Sequence, residues 1–243
     1  MQQLGHSRSA SARTHLLQTP DTFVRAPLPG MHKATAVVHI SPVGGAGFTQ
    51  YTVEIEGVGE IAAATEQRFV YVLDGSLTIG DNQLVGGDFA YLPPAYPHRI
   101  FATAWSRAEI IEKPYEPLEG RGAPAAFFGR EGDVAPTLLQ DDPWLEVRGL
   151  IPDDVTFDFR VNTMTYRPGA TLPAVEMHVM EHGLLMLEGQ GVYRLGDRWY
   201  PVKAGDVIWM KSFCPQWFVA MGKTPAAYLY YKDVNRDPLG ANA

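Results

Sequence analysis

The feature that most constrains this sequence is an internal repeat. Three stretches of the first half reappear in the same order in the second half: VYVLDGSLTI as LLMLEGQGVYRL, LVGGDFAYLPPAYPHRIFA as PVKAGDVIWMKSFCPQWFVA, and AEIIEKPYEPL as YLYYKDVNRDPL. The Gly-Asp dipeptides at 87–88 and 205–206 precede His98 and Gln216 by the same distance. A repeat of this length and order predicts two modules of similar topology.

The segments within each module have the character of β-strands. Runs such as YTVEIEG, RFVYVLDGSLTIG, GDFAYLP and AAYLYYKD are rich in β-branched and aromatic residues and are bounded by Gly, Pro, Asp or Asn. No long stretch has apolar residues at helical spacing, and 24 glycines and 19 prolines would interrupt most helices. We therefore predict an all-β sandwich or barrel.

The repeat also predicts how the chain is divided. We expect an N-terminal extension over residues 1–23, a first module over 24–118 and a second module over 146–243. A Gly-, Pro- and acid-rich linker over 119–145 would join the modules. The first twenty residues are rich in Ser and Arg and contain no Asp or Glu, as transit peptides do. We favour a frayed extension, since a cytoplasmic protein needs no signal.

Composition excludes several classes of partner. The 243 residues are 46% hydrophobic, which is typical of globular domains, and the formal net charge is -7. No basic stripe is present to neutralise phosphates, so we expect no nucleic-acid partner. No apolar run approaches the roughly 20 residues that span a bilayer, so we expect no membrane partner. The single cysteine, Cys214, excludes an intrachain disulfide and fits a reducing, cytoplasmic setting.

The stretch VEMHVMEHG raises the question of a metal site. It brings Glu176, His178 and His182 within seven positions. On a strand these three residues share parity and face one side, whereas a helix would turn Glu176 away from the histidines. Neighbouring Pro173 and Gly183 favour the strand. The other interpretation is that these residues are polar side chains on a barrel rim.

The motifs resemble those of a known family. Gly-Asp, a strand, a Pro-rich turn and then His or Gln is similar to the second cupin motif, and Gly169–Gly189 is similar to the first. The resemblance begins near Val24 and implies a bicupin, with two jelly-roll barrels in tandem. More narrowly, ExHxxxHG, GQGVYRL, PVKAGDVIWM and YKDVNRDPL together resemble the (S)-ureidoglycine aminohydrolase family of allantoin and purine degradation.

The resemblance implies a metal centre in the second barrel. Its ligands would be Glu176, His178, His182 and Gln216, with the glutamate before the histidines as in the aminohydrolase family. This set contains no thiolate, which disfavours structural zinc and suits Mn²⁺ or Fe²⁺. The family points to Mn²⁺, and another divalent ion is an alternative.

The first barrel is an internal control for this centre. Counting back from the equivalent glycines places Ala62, Ala64 and Arg68 at the ligand positions, while His98 is matched with Gln216. Alanine cannot ligate a metal, so we predict a metal-less first barrel. We expect His98 to be a structural histidine.

Several residues are candidates for binding or catalysis. Tyr228, Tyr230 and Lys232 share parity on a late strand, so one face could present phenols and an ammonium to the cavity. The resemblance assigns substrate contacts to Glu176, Gln216, Tyr228 and Lys232, of which Glu176, Lys232 and Tyr228 are our catalytic candidates. Tyr193 is a further binding candidate. We expect Tyr230 to pack and Cys214 to be a small buried residue. Lys113, which we match with Lys232, indicates that a lysine there can also be structural.

The resemblance implies a metal-dependent hydrolase. It would release ammonia from (S)-ureidoglycine and give (S)-ureidoglycolate, so its partner would be a small ureido molecule. Two alternatives stay open. A dioxygenase or oxalate-degrading cupin usually carries three histidines and a glutamate, whereas Gln216 replaces one histidine here. A non-catalytic ligand-binding cupin is the other. We also expect a homo-oligomer, because jelly rolls leave sheet edges and apolar faces to cover.

Overall fold

The computed structural model describes residues 5–236, and within them the chain forms β-strands and four short 3₁₀ helices but no α-helix. This confirms the all-β prediction. The 3₁₀ helices are Pro20–Thr22, Pro42–Gly44, Glu131–Asp133 and Leu139–Asp141. The strands are β1 (Ala10–Ser11), β2 (His15–Gln18), β3 (Met31–Ile40), β4 (Thr49–Ile61), β5 (Gln67–Asp74), β6 (Ser76–Ile79), β7 (Asn82–Val85), β8 (Asp88–Leu92), β9 (Ile100–Ala102), β10 (Ser106–Lys113), β11 (Phe127–Arg130), β12 (Thr137–Leu138), β13 (Leu145–Gly149), β14 (Phe159–Tyr166), β15 (His182–Glu188), β16 (Gln190–Leu195), β17 (Arg198–Lys203), β18 (Val207–Met210), β19 (Gln216–Ala220) and β20 (Ala226–Asp233).

The chain divides into two compact units. The first unit comprises Val24–Ala135 and Leu150–Asp158, and the second unit comprises Met1–Phe23, Pro136–Gly149 and Phe159–Ala243. All of the stretch that we predicted as a linker, residues 119–145, therefore belongs to one unit or the other. β11 pairs with β8 in the first unit, and β12 and β13 join β14 in the second. None of the four helices is long or apolar enough to cross a membrane.

The first unit is built on one nine-stranded sheet. Its strand order is β11-β8-β5-β10-β4-β9-β6-β7, and β3 pairs with β4. Alternation places Tyr51, Val53 and Ile55 of β4 in a buried cluster with Val70 of β5 and Ile110 of β10. Apolar burial on one face of the sheet therefore fixes the register of its central strands.

The second unit has two sheets around one core. An eight-stranded sheet has the order β1-β2-β18-β15-β20-β14-β13-β12, and a three-stranded sheet has the order β17-β16-β19. Leu184 and Ile208 of the larger sheet pack in the same buried cluster as Tyr193 and Phe218 of the smaller one. Strands β15, β19 and β20 of this unit carry most of the predicted site residues.

The N-terminal segment is not the frayed extension that we expected. β2 pairs antiparallel with β18, which places Leu17 opposite Ile208, and Leu17 is completely buried. Arg8 donates hydrogen bonds to both carboxylate oxygens of Asp206, at 2.6 and 2.7 Å. Asp206 is one half of the Gly-Asp dipeptide that marks the repeat, so the N-terminal segment completes the second unit.

We predict that Arg8→Ala will lower the free energy of unfolding by about 2 kcal/mol, as expected when a buried carboxylate loses a charged partner. The side chain of Asp206 is fully buried and would keep the backbone N–H of Lys203 as a donor. Urea unfolding curves would measure the change. The matched control is Arg25→Ala in the first unit, where Arg25 pairs with Glu54 and its side chain is 50% exposed; its cost should stay under about 1 kcal/mol. Equal losses in both variants would contradict the prediction.

Candidate metal centre

A cavity of about 210 Å³ in the second unit is lined by every predicted site residue. Its polar lining residues come from the segment before β15, from β15, β16 and β19, and from alternate positions of β20. Apolar residues, among them Leu139, Leu172 and Met180, complete the wall. The predicted residues that line it are Glu176, His178, His182, Tyr193, Gln216, Tyr228, Tyr230 and Lys232.

The local conformation of the predicted ligands differs from our prediction. We expected one strand to carry Glu176, His178 and His182, but only His182 lies in a strand, as the first residue of β15. Glu176 instead forms an isolated bridge with Gln216, in which each backbone N–H donates to the other residue's carbonyl at 2.9 Å. The carbonyl of His178 accepts a hydrogen bond from the N–H of Phe213. The bridge and the start of β15, not strand parity, therefore bring the side chains together.

Three of the four predicted ligands meet in the cavity, and the carboxyl group of Glu176 lies beside them. The Nε2 atoms of His178 and His182 are 3.1 Å apart, and the side-chain amide nitrogen of Gln216 is 2.9 Å from Nε2 of His178. The nearest Glu176 oxygen is 4.0 Å from the same Nε2 atom. Nδ1 of His182 is 3.1 Å from the carbonyl of Tyr231, so Nδ1 carries the hydrogen and Nε2 keeps its lone pair toward the cavity.

This donor set fits a divalent cation. Two imidazole nitrogens bound to one ion at about 2.1 Å stand about 3 Å apart when adjacent, which is the separation seen here. The second-sphere bond from His182 to a backbone carbonyl is the arrangement that orients a metal-binding histidine. In the described part of the chain, no three His, Cys, Asp or Glu side chains have metal-ligand spacing. The amide of Gln216 is the third group beside the two imidazoles, and its oxygen and nitrogen exchange places by a half-turn.

Burial sets the charge states in the cavity. It lowers the pKa of His182 to about 3, so this imidazole stays neutral, which is the form that binds metals. Burial also raises the pKa of Glu176, while His178 and Lys232 oppose that rise. It lowers the pKa of Lys232, with a further contribution from Arg160 and opposition from Glu176. The cavity thus pairs a carboxyl group and an amine whose proton affinities lie closer together than in water.

Three phenols line the cavity beside these groups. Burial raises the pKa of Tyr230 to about 12 and drives the pKa values of Tyr193 and Tyr228 upward as well. All three hydroxyls are therefore neutral donors at physiological pH. Tyr230 contacts the ring of His182 edge-on at 5.9 Å between centroids, so it lines the site as well as packing. Cys214 is buried, as predicted.

The strand registers correct two matches between the repeats. In the second unit His182 lies opposite Lys232 on β20 and Met210 on β18. In the first unit Arg68 lies opposite Glu112 and Leu92. Arg68 is therefore the counterpart of His182, as predicted, but the counterpart of Lys232 is Glu112 and our match to Lys113 is wrong by one residue.

The match between His98 and Gln216 is also wrong. Gln216 lies opposite Leu195, and the equivalent pair in the first unit is Ile100 opposite Ile79. The turn between β8 and β9 is longer than the turn between β18 and β19, so equal spacing in sequence does not give equal positions. His98 is exposed and its ring contacts Tyr96.

Comparison with known proteins identifies the family and the fold. The model of the family described as cupin domain matches residues 162–231. The chain is 39% identical over 242 residues to (S)-ureidoglycine aminohydrolase of Arabidopsis thaliana, covering 97% of this chain and 80% of that protein. It is 31% identical over 233 residues to the Escherichia coli K12 enzyme of the same name, covering 91% and 88%. The crystal structure of Ylba from E. coli superposes with a TM-score of 0.83 at 28% identity, covering 95% of this chain and 96% of that one. These matches confirm the cupin fold.

Proposed function

Because this chain belongs to the (S)-ureidoglycine aminohydrolase family, we propose that it releases ammonia from (S)-ureidoglycine and gives (S)-ureidoglycolate. The observation that carries the proposal is the convergence of two imidazoles and an amide, with a carboxyl group beside them, in one cavity of about 210 Å³. This volume suits a small ureido acid. Family membership supports the reaction, and the geometry supplies the groups that the reaction needs.

The residues that would hold a metal are Glu176, His178, His182 and Gln216, and we propose Mn²⁺ as the ion, with Fe²⁺ as the alternative. Mixed nitrogen and oxygen donors without a thiolate favour these ions over structural zinc. When bound, a divalent ion supplies Lewis acidity and lowers the pKa of coordinated water.

Other side chains of the cavity would accept the proton and bind the substrate. Glu176 has its pKa raised by burial and lies beside His178, so its carboxylate is placed to accept a proton. Lys232 supplies the ammonium that would anchor the substrate's carboxylate. Tyr228, which stays neutral, would donate a hydrogen bond to substrate. The apolar wall formed by Leu172 and Leu184 limits water around these groups.

We also propose that the protein works as a cytoplasmic homo-oligomer. Several large apolar side chains of the second unit are exposed, including Trp144, Trp199 and Phe213. Such side chains are candidates for burial between copies. The mass in solution, measured by light scattering, should be at least twice the chain mass of 26.8 kDa. A monomeric mass at micromolar concentration would contradict the oligomer.

The direct test is ammonia release from freshly prepared ureidoglycine. Protein treated with a chelator should lose turnover, and added Mn²⁺ should restore it, since the proposal makes the reaction depend on a divalent ion held by these four residues. Heat-denatured protein gives the rate of spontaneous release. Oxygen uptake, followed in parallel, separates the dioxygenase alternative: consumption tied to product would overturn the hydrolase proposal. Binding without metal-dependent turnover would favour the non-catalytic alternative.

A further inference from the structure

The hydroxyl of Tyr228 has a buried partner that sequence reasoning did not single out. Tyr166, on β14, is fully buried, and its hydroxyl oxygen lies 2.6 Å from that of Tyr228. The Sδ atom of Met164 is 3.2 Å from each hydroxyl oxygen. The ring of Phe218 packs edge-on against Tyr166 at 4.8 Å between centroids, which fixes the position of the Tyr166 ring.

The two hydroxyls must share their protons in one of two ways. Burial raises the pKa values of both phenols well above the ordinary range, so each keeps its proton. One hydroxyl proton lies between the oxygens of Tyr166 and Tyr228, and the other hydroxyl proton points to a different acceptor. Within residues 5–236, the only other hydrogen-bond partner of the Tyr166 hydroxyl is the sulfur of Met164, and a thioether is a weak acceptor.

The acceptors available to the second proton decide between the two arrangements. If Tyr166 donates to Tyr228, then Tyr228 can donate its own proton into the cavity, and both hydrogen bonds have oxygen acceptors. If Tyr228 donates to Tyr166, the Tyr166 proton is left to sulfur and Tyr228 presents a lone pair to the ligand. The first arrangement is better by the difference between an oxygen and a sulfur acceptor, because the Tyr193 hydroxyl or a ligand oxygen in the cavity can accept the Tyr228 proton.

We propose that Tyr166 is a positioning residue that directs the hydroxyl proton of Tyr228 into the cavity, so that Tyr228 recognises the ureido oxygen of the substrate. This inference rests on the proposed function, because it takes Tyr228 as a substrate contact. Lys232 lies four residues further along β20 on the same face. In this proposal Lys232 binds the substrate's carboxylate and Tyr228 binds its ureido oxygen.

The test is a double-mutant cycle on binding. The probe is N-carbamoylglycine, which has the ureido and carboxylate groups of the substrate but no amine to release. Calorimetric titration of the manganese-loaded protein should show affinity about fivefold weaker in Tyr166→Phe and about tenfold weaker in Tyr228→Phe, as for loss of one neutral hydrogen bond. The double variant should bind no more weakly than Tyr228→Phe, because Tyr166 acts through Tyr228.

A matched control is Tyr200→Phe, which removes another buried hydroxyl of the second unit, bonded to Nε2 of His15 at 2.9 Å. It should bind the probe like wild type. Additive losses in the double variant, wild-type affinity in Tyr166→Phe, or no binding of the probe to wild type would each overturn the inference. Failure of the proposed function has a different signature, since wild type would then bind the probe without releasing ammonia from ureidoglycine.

Discussion

Replacing Glu176 by alanine should lower kcat/KM for ammonia release by about 10³-fold or more, the scale of a lost general base. The substitution removes the carboxylate that lies beside Nε2 of His178 and that is placed to accept a proton. It leaves the backbone bridge between Glu176 and Gln216 intact, because both of its hydrogen bonds are made by backbone atoms. We therefore expect the thermal unfolding midpoint to change little while turnover is lost.

The matched control is Glu188→Ala, at the other end of β15, where the glutamate is exposed and lies outside the cavity. Its turnover should equal that of wild type. Glu176→Gln refines the test, because an amide keeps an oxygen donor but accepts no proton at neutral pH; it too should be inactive. Retained turnover in Glu176→Ala would defeat the assigned role.

Replacing Lys232 by methionine should lower kcat/KM by about 100-fold, mainly through a higher KM, as expected for loss of a charge-assisted hydrogen bond. The ammonium would hold the carboxylate in the bound substrate and in the transition state alike, so its loss weakens both. Methionine keeps the length and the apolar stem of lysine, which limits the structural effect. Steady-state kinetics measure kcat and KM separately.

The control for this variant is Lys203→Met, at the exposed end of β17. It removes one positive charge from the same unit and should leave KM unchanged. An effect confined to kcat in Lys232→Met would contradict the anchoring role and would favour proton transfer by this amine. An equal rise of KM in both lysine variants would point to net charge instead of a specific contact.

The repeat and its motifs were sufficient to predict the fold class and to predict that the site lies in the second of the two modules. Period-two alternation placed Tyr228, Tyr230 and Lys232 on one face of β20, and all three line the cavity. The same alternation in β14 places Met164 and Tyr166 on one buried face. This pattern could have indicated Tyr166 as a buried residue beside the cavity wall, but we did not predict it.

Long-range pairing was beyond sequence reasoning. The N-terminal strands are held by contacts such as that between Arg8 and Asp206, and no local pattern specifies partners nearly two hundred residues apart. The register corrections have a related cause. Equal spacing in sequence predicted that His98 matches Gln216, but the unequal turns before β9 and β19 shift the positions. Turn length is set by tertiary packing and is not encoded in a motif.

The central claim is that four side chains of the second unit hold one divalent cation. The most direct measurement is a crystal structure of the manganese-loaded protein, with anomalous scattering recorded to locate the metal. We predict one strong peak in the cavity, about 2.0–2.3 Å from the Nε2 atoms of His178 and His182 and from side-chain oxygens of Glu176 and Gln216. No peak in this cavity after soaking, or a peak that these four residues do not contact, would contradict the account.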